Sequence, residues 1–414
     1  MCKINFITFL MLIVLLQLGI AEDLKEDPFN PKSDKALLEK IKNLPENTWL
    51  KLPKPTVTGE ISWLNKRSSL LRDGPRVRDY CNKIVYAPER KRGVYCGAGH
   101  NVHPLNDVWE YDLPSNTWIC LSSADPLLPR KIKEPNTMDA ALERTKKIIV
   151  VKDGVVTTTS GGPVRMAHTW WGLTYNSKSK RMVLWDAHKG LIFSNKGLIS
   201  KAFKIDPKDN LLKGSGSGRG EAWLFEFDPE SRKWTKVLKG APKNMESSQL
   251  EYLPDSDSYF LFSYYPYLLG ADRKEWAKLK GKMASNGAVS AYDQKSKNVV
   301  LVVKNTTWIF DANNKSLKKV FTGNDTAAVP NTTFCYDKFA EKFIMITQTK
   351  NKTKNLKVKR LNIYDLKTNL WTSPETKGDV LGGGAMACYY DVALNVTVLY
   401  TNAATWVYRC KSAK

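Results

Sequence analysis

Short apolar runs, each followed by a polar turn and a second apolar run, recur along the chain. The first copy reads IVYAPERKRGVYC and the third reads LEYLPDSDSYFLF. β-Branched and aromatic runs on both sides of a charged turn are typical of a β-hairpin. Six copies share a tyrosine near the end of the first run: Tyr86, Tyr175, Tyr252, Tyr292, Tyr336 and Tyr390. The pattern therefore predicts six hairpins that begin six copies of one β unit.

A second pair of strands follows most of the hairpins. Segments such as NDVWEYDLPSNTWICL and LNIYDLKTNLW contain an aromatic strand that ends in Asp, a polar turn and a closing tryptophan. Four strands that close on Trp118, Trp234 or Trp371 are typical of a propeller blade. Consecutive hairpin tyrosines lie 40 to 89 residues apart, and the shorter spacings match a blade period of roughly 40–50 residues. The longer spacings predict insertions.

The sixth copy, MACYYDVALNVTVLYTNAATWVYRC, supplies only three strands. The segment ENTWLKL around Trp49 is similar to SNTWICL around Trp118 and can supply the missing outer strand. An N-terminal strand that completes the last blade would remove open sheet edges. We therefore predict an all-β fold over residues 47–414, a six-bladed β-propeller of four-stranded blades whose last blade is closed by the N-terminal strand.

Over nearly the whole mature chain the repeats resemble kelch repeats, in particular those of secreted and bacterial proteins, and the first two repeats resemble them best. The resemblance rests on the segments GPRVRDY, NDVWEYDLPSNTW and GPVRMAHTWWGLTYNSKSKRMVLWDA, while the double glycine of the family survives only as Gly97-Ala98-Gly99. It implies a propeller like the central domain of galactose oxidase. The copper site of that enzyme needs two tyrosines, two histidines and a cysteine cross-linked to tyrosine. No such set can be matched here, so no cofactor or metal is predicted.

The N-terminus predicts export. Residues 1–21 combine an early lysine, an apolar run and small residues, which is typical of a cleaved signal peptide, with a retained membrane anchor as the alternative. Residues 22–46 form a leader in which Ser33 or Asp34 can cap a short amphipathic helix. We expect a secreted protein, extracellular or periplasmic, without stable membrane insertion.

Six cysteines remain after the signal peptide, and an even number in an exported chain favours disulfide bonds. The favoured pair is Cys81 with Cys96, on opposite arms of the first hairpin. Cys335 and Cys388 lie on neighbouring innermost strands, where they can form a bridge or act as small buried hydrophobic residues. Glycosylation would depend on a eukaryotic secretory pathway. The acceptor asparagines are Asn305, Asn314, Asn324, Asn331, Asn351 and Asn395.

The chain is strongly basic, with 64 Lys and Arg against 41 Asp and Glu and a formal net charge of +23. Such an excess favours polyanionic partners, although dispersed solvated lysines are an equally simple interpretation. Export and the lack of a recognisable nucleic-acid module argue against nucleic acid. An acidic polysaccharide or an extracellular protein is the expected partner.

Three long insertions, residues 53–80, 121–166 and 187–220, should lie on one face because strand direction alternates within each blade. Binding residues concentrate in long loops on rigid scaffolds. Arginines pair with carboxylates, aromatic rings stack on sugars, and histidines titrate near neutral pH. His168 more simply holds its loop, and we expect that Arg78→Ala leaves the melting temperature nearly unchanged. The candidate ligand-binding residues are Arg76, Arg78, His100, His103, Arg165, Trp171 and His188.

These patterns favour a binding module for an acidic glycan or an extracellular protein. The alternative is a carbohydrate-active enzyme of epimerase, lyase or oxidase type that uses the His and Arg residues of the same face. A third interpretation is a structural envelope or matrix component. The sequence contains no Ser-His-Asp order, Walker loop or HExxH motif that would identify a catalytic residue. The sequence leaves the ligand and the oligomeric state open.

Overall fold

The computed structural model describes residues 27–63, 74–78, 81–97, 105–126, 137–164, 166, 169–186, 196–212, 222–242, 248–282, 288–320, 332–351, 356–382, 384–402 and 404–411. The predicted signal peptide lies outside these residues. The described part consists mainly of strands grouped into six sheets of four or five strands and one small hairpin.

The first two blades contain most of the insertions. Blade one has the strand order β2-β6-β5-β4-β3, and blade two has the order β12-β11-β10-β9. β7 and β8 form a separate hairpin between the two blades, as the segment IIVVKDGVVTTT predicts. The strands are β1 (Thr48–Lys51), β2 (Thr56–Gly59), β3 (Val85–Ala87), β4 (Arg92–Tyr95), β5 (Val108–Asp112), β6 (Thr117–Ser122), β7 (Ile149–Lys152), β8 (Val155–Thr158), β9 (Leu173–Asn176), β10 (Arg181–Asp186), β11 (Ala222–Asp228) and β12 (Lys233–Ala241).

Blades three and four are four-stranded antiparallel meanders without long insertions. Trp276 lies in the outer strand of blade three and pairs with Leu269 of the neighbouring strand. The strands are β13 (Gln249–Leu253), β14 (Ser258–Ser263), β15 (Tyr265–Leu269), β16 (Trp276–Lys278), β17 (Ala288–Asp293), β18 (Asn298–Val303), β19 (Thr306–Asp311) and β20 (Ser316–Val320).

The N-terminal strand closes the last blade, which confirms the predicted closure. β1 pairs antiparallel with β28 along its whole length and parallel with β25 on its other side. Trp49 is buried, and its ring centroid lies 4.8 Å from that of Tyr408. The strands of blades five and six are β21 (Thr333–Asp337), β22 (Lys342–Asn351), β23 (Leu356–Asp365), β24 (Leu370–Thr372), β25 (Lys377–Gly378), β26 (Met386–Asp391), β27 (Val396–Thr401) and β28 (Thr405–Arg409).

The innermost strands close a ring. β3 contacts β9, and the contacts then continue through β13, β17 and β21 to β26, which returns to β3. The apolar clusters lie mainly between neighbouring blades, because each sheet presents apolar side chains on both faces. All six hairpin tyrosines belong to these strands. The predicted six-bladed propeller is confirmed.

Helices occur in the leader and in the insertions. α1 (Lys35–Lys42) is capped by Asp34, as predicted, and buries Leu37 and Ile41 against blades one and six. The insertions contain α2 (Met138–Ile148) and α3 (Lys196–Phe203), which contact each other, and a 3-10 turn at Asn210–Leu212. Within the described residues, no helix has the length and apolar character needed to cross a membrane.

The predicted disulfide bonds are not confirmed, because all six described cysteines are free thiols. The Cys81 thiol donates to the backbone carbonyl of Cys96 at 3.2 Å instead of bonding to its sulfur. The backbone N–H of Cys81 donates to the Arg78 carbonyl and closes a tight turn. Cys81 therefore lies before the hairpin ladder, which begins with the pair Val85 and Val94, and it does not stand opposite Cys96. Cys335 and Cys388 are buried, in keeping with the interpretation as small hydrophobic residues.

Candidate functional site

Two of the predicted ligand-binding residues lie inside the protein. The Arg78 guanidinium forms an ion pair with Asp107 at 2.5 Å and donates to the carbonyl of Gly97, and both charged side chains are fully buried. The Trp171 indole N–H donates to the Ser290 carbonyl at 2.7 Å, and this ring is 2% exposed. Both residues therefore have structural partners within the propeller.

Of the other predicted contacts, the structure describes only Arg76. Arg76 is exposed, in a backbone conformation with a φ of 48°. The remaining predicted residues, His100, His103, Arg165 and His188, lie outside the described residues, as does His168. Among the described side chains, no group of three or more His, Cys, Asp or Glu could hold a metal ion. A ligand site on the face of the long insertions stays a prediction.

A cavity of about 360 Å³ occupies the centre of the propeller. Its lining includes one or more residues from the turn between the first and second strands of every blade. Because strand direction alternates, these turns lie on the face opposite to the long insertions. The cavity therefore reaches the face opposite to the one on which the sequence predicted ligand binding. The turn residues are Pro88, Ser177, Pro254, Gln294, Lys295, Lys338 and Val392.

The six hairpin tyrosines form the wall of this central cavity. Side chains of the hairpin turns accept hydrogen bonds from several of the tyrosine hydroxyl groups. Tyr252 donates to Asp257 at 3.1 Å, and Tyr292 donates to Asp255 at 3.0 Å. Burial, reinforced by these carboxylates, raises the pKa of both phenols. The tyrosines therefore stay protonated and present fixed aromatic surfaces to the cavity.

Three polar residues lie deeper in the cavity, and we call Lys83, Glu251 and Ser290 the floor cluster. They precede the tyrosines of their strands by one to three positions and so lie farther from the turns. Lys83 Nζ donates to Glu251 Oε1 at 2.7 Å and to the Leu250 carbonyl at 2.9 Å. Ser290 Oγ donates to the same Glu251 oxygen at 2.5 Å.

Trp171 supports the floor cluster from outside the cavity. Its indole N–H fixes the backbone carbonyl of Ser290, and its ring centroid lies 5.9 Å from Lys83 Nζ. Burial lowers the pKa of Lys83 and raises the pKa of Glu251, while the attraction between the two opposes both shifts. The floor cluster thus combines a hydrogen-bond donor and an acceptor whose charged forms are disfavoured by burial and favoured by their mutual attraction.

The mouth of the central cavity is basic with apolar neighbours. Lys295 and Lys338 are exposed there, beside the exposed side chains of Phe339 and Val392. Lys295 forms an ion pair with Glu341 across neighbouring turns. An exposed ion pair of this kind contributes little free energy, so Lys295 and Lys338 remain able to bind an anionic ligand.

The floor cluster was not predicted, although the sequence contains a signal for it. Lys83 and Glu251 are charged residues inside the apolar runs NKIVY and QLEYL of innermost strands. A charge in such a run is costly unless it is paired or faces a polar cavity. The two residues are far apart in sequence, and only closure of the ring joins them.

Comparison with known proteins identifies no family for this chain. No protein-family model matches the chain, and no curated protein matches it. The kelch resemblance is therefore not confirmed beyond the propeller architecture. Among solved structures, an auxiliary nutrient binding protein from Bacteroides thetaiotaomicron is similar over 80% of this chain and 69% of its own, with 9% identity and a TM-score of 0.45. A similarity at this level carries no argument about the ligand.

Proposed function

We propose that this chain is an exported binding protein that takes an acidic saccharide into the central cavity of its propeller. The observation that carries the proposal is the combination of six tyrosines around the wall with the floor cluster beneath them. Aromatic faces pack against the apolar faces of sugar rings, and a paired lysine and glutamate exchange hydrogen bonds with sugar hydroxyl groups.

The size and charge of the cavity agree with such a ligand. Ligand pockets commonly measure roughly 300–1,000 Å³, so a cavity of about 360 Å³ suits a short saccharide or the end of a longer chain. Lys295 and Lys338 at the mouth would attract the carboxylate of a uronic acid unit. The net charge of +23 would raise the concentration of anionic ligands near the protein.

Binding of a trimer of galacturonic acid, measured by calorimetry beside a neutral galactose trimer, tests the proposal. The acidic trimer is expected to bind more tightly, and its affinity should fall as salt rises because exposed charges are screened within about 8 Å at physiological ionic strength. Binding of neither trimer would contradict the proposal.

Variants on opposite faces locate the site. Tyr292→Leu removes one aromatic surface worth about 0.5–1.5 kcal/mol, which corresponds to a roughly two- to tenfold rise in Kd. Arg76→Ala changes an exposed side chain on the insertion face and should leave Kd unchanged. Weaker binding in Arg76→Ala with normal binding in Tyr292→Leu would place the site among the insertions instead. Thermal melting of both variants controls for folding.

The carbohydrate-active enzyme remains the alternative for the insertion face. Its predicted acid–base residues are His168 and His188 with Arg165, Asp186 and Glu221. Of these, the structure describes only Asp186, the last residue of β10, so this alternative rests on sequence alone. Product analysis of the same saccharides after long incubation with the protein would detect turnover.

A further inference from the structure

We propose that Lys83 is a nucleophilic lysine that forms a reversible imine with the aldehyde or keto group of a ligand in the central cavity. This activity goes beyond saccharide binding and does not require that the ligand be a saccharide. It would make the propeller a receptor that captures carbonyl compounds covalently.

The position of Lys83 meets the first requirement, which is access to a ligand in a mostly apolar site. Its side chain lines the cavity and is 10% exposed. Hydrogen bonds to Glu251 and to the Leu250 carbonyl account for two of the three N–H directions of the ammonium. Burial of the nitrogen favours the neutral amine. The face of the Trp171 ring, whose centroid lies 5.9 Å from Nζ, acts in the opposite direction.

The second requirement is a group that holds and returns a proton. Glu251 Oε1 lies 2.7 Å from Lys83 Nζ, which is hydrogen-bond distance for direct proton transfer. Moving one proton from the ammonium to the carboxylate makes both groups neutral without changing the net charge of the floor cluster. Burial shifts the pKa of each group in this direction. Among the described residues, the buried thiol of Cys388 on the neighbouring innermost strand is a further titratable group near Lys83.

These groups complete a balanced reaction. The neutral Lys83 amine attacks the carbonyl carbon, and the carbonyl oxygen takes the proton from Glu251. The nitrogen of this adduct loses one proton to the Glu251 carboxylate, which passes it to the new hydroxyl group. The C–O bond then breaks, water leaves, and a protonated imine remains beside the Glu251 carboxylate. Ser290, which donates to the same carboxylate oxygen at 2.5 Å, would stabilise this final ion pair.

Reductive trapping tests the proposal directly. The protein is incubated near neutral pH with glyoxylate, a small acidic aldehyde, and sodium cyanoborohydride, and modified lysines are quantified by peptide mass spectrometry. Lys83 is expected to be modified about tenfold faster or more than the exposed Lys338 at the cavity mouth, because an activated amine reacts ahead of ordinary ones. Equal or slower modification of Lys83 in folded protein would overturn the proposal.

Two variants of the floor cluster make the test specific. Lys83→Arg keeps the positive charge beside Glu251 but cannot form an imine, so the fast-reacting site should disappear while the fold remains. Glu251→Gln keeps the shape and removes the proton carrier, so trapping at Lys83 should slow by about tenfold or more. Lys40→Met, at an exposed position of α1 outside the cavity lining, serves as the matched control and should leave trapping at Lys83 unchanged. Unchanged trapping in Glu251→Gln would contradict the assigned role of Glu251.

The two proposals fail separately. Saccharide binding is measured without reductant, and trapping is measured with glyoxylate. Saccharide binding without selective trapping would contradict only the nucleophilic lysine. Selective trapping without saccharide binding would contradict only the proposed saccharide function.

Discussion

A chain that lacks residues 22–52 is expected to lose its cooperative thermal transition and to aggregate. The deletion removes β1, which lies between β25 and β28 in the last blade. It exposes the hydrogen-bonding edge of β28 and the buried face on which Trp49 packs against Tyr408. An open, apolar sheet edge pairs with other chains. Circular dichroism during heating and size-exclusion chromatography measure both effects.

A single substitution tests the same closure without removing the leader. Trp49→Ala empties a buried site and should lower the free energy of unfolding by about 3–5 kcal/mol. The matched control is Trp276→Ala, in the outer strand of blade three, where the ring is only partly buried and a smaller loss is expected. A chain without residues 22–52 that melts like the intact chain would contradict the shared blade.

Arg78→Ala is expected to lower the free energy of unfolding by about 3–5 kcal/mol, because it leaves a buried carboxylate without its ion-pair partner. That carboxylate belongs to Asp107, which also accepts the Trp109 indole N–H at 2.7 Å. The sequence pattern favoured the opposite expectation, a nearly unchanged melting temperature, because Arg78 falls next to a long predicted loop. Full burial of both partners overturns that expectation. Urea denaturation monitored by fluorescence measures the loss.

Arg76→Ala provides the comparison for Arg78→Ala. The two arginines lie two residues apart, but Arg76 is exposed and should contribute little to stability. Equal unfolding free energies for the two variants would show that the Arg78–Asp107 pair does not stabilise the fold.

Sequence predicted the architecture because its signals are local. A hairpin is defined by a tyrosine-containing run and the turn beside it, and Trp49 repeats the context of Trp118 closely enough to indicate a shared blade. The parallel strands β2 and β25 were not predicted. Their short segments, TVTG and KG, have no apolar alternation, and they form only because an outer strand offers them a free edge.

The candidate site was harder to predict because its parts come from different blades. Lys83 and Glu251 are 168 residues apart, and each in isolation is a charged residue in an apolar strand. The long insertions led us to predict ligand binding on one face, because loop length can be read from a sequence and a central cavity cannot. The orientation of Trp171 toward Ser290, away from solvent, likewise depends on the packing of neighbouring blades.

Closure of the last blade has a consequence for biosynthesis. The Tyr408 hydroxyl donates to the Asn47 side chain, and these residues lie 361 positions apart. At a translation rate of about 5–20 residues per second, the ribosome needs roughly 20–70 s to make the chain between them. β1 is therefore synthesised early but pairs with β28 late. The ring cannot close before the C-terminal strands leave the ribosome. Until then the nascent chain presents an open sheet edge, which can pair with other chains.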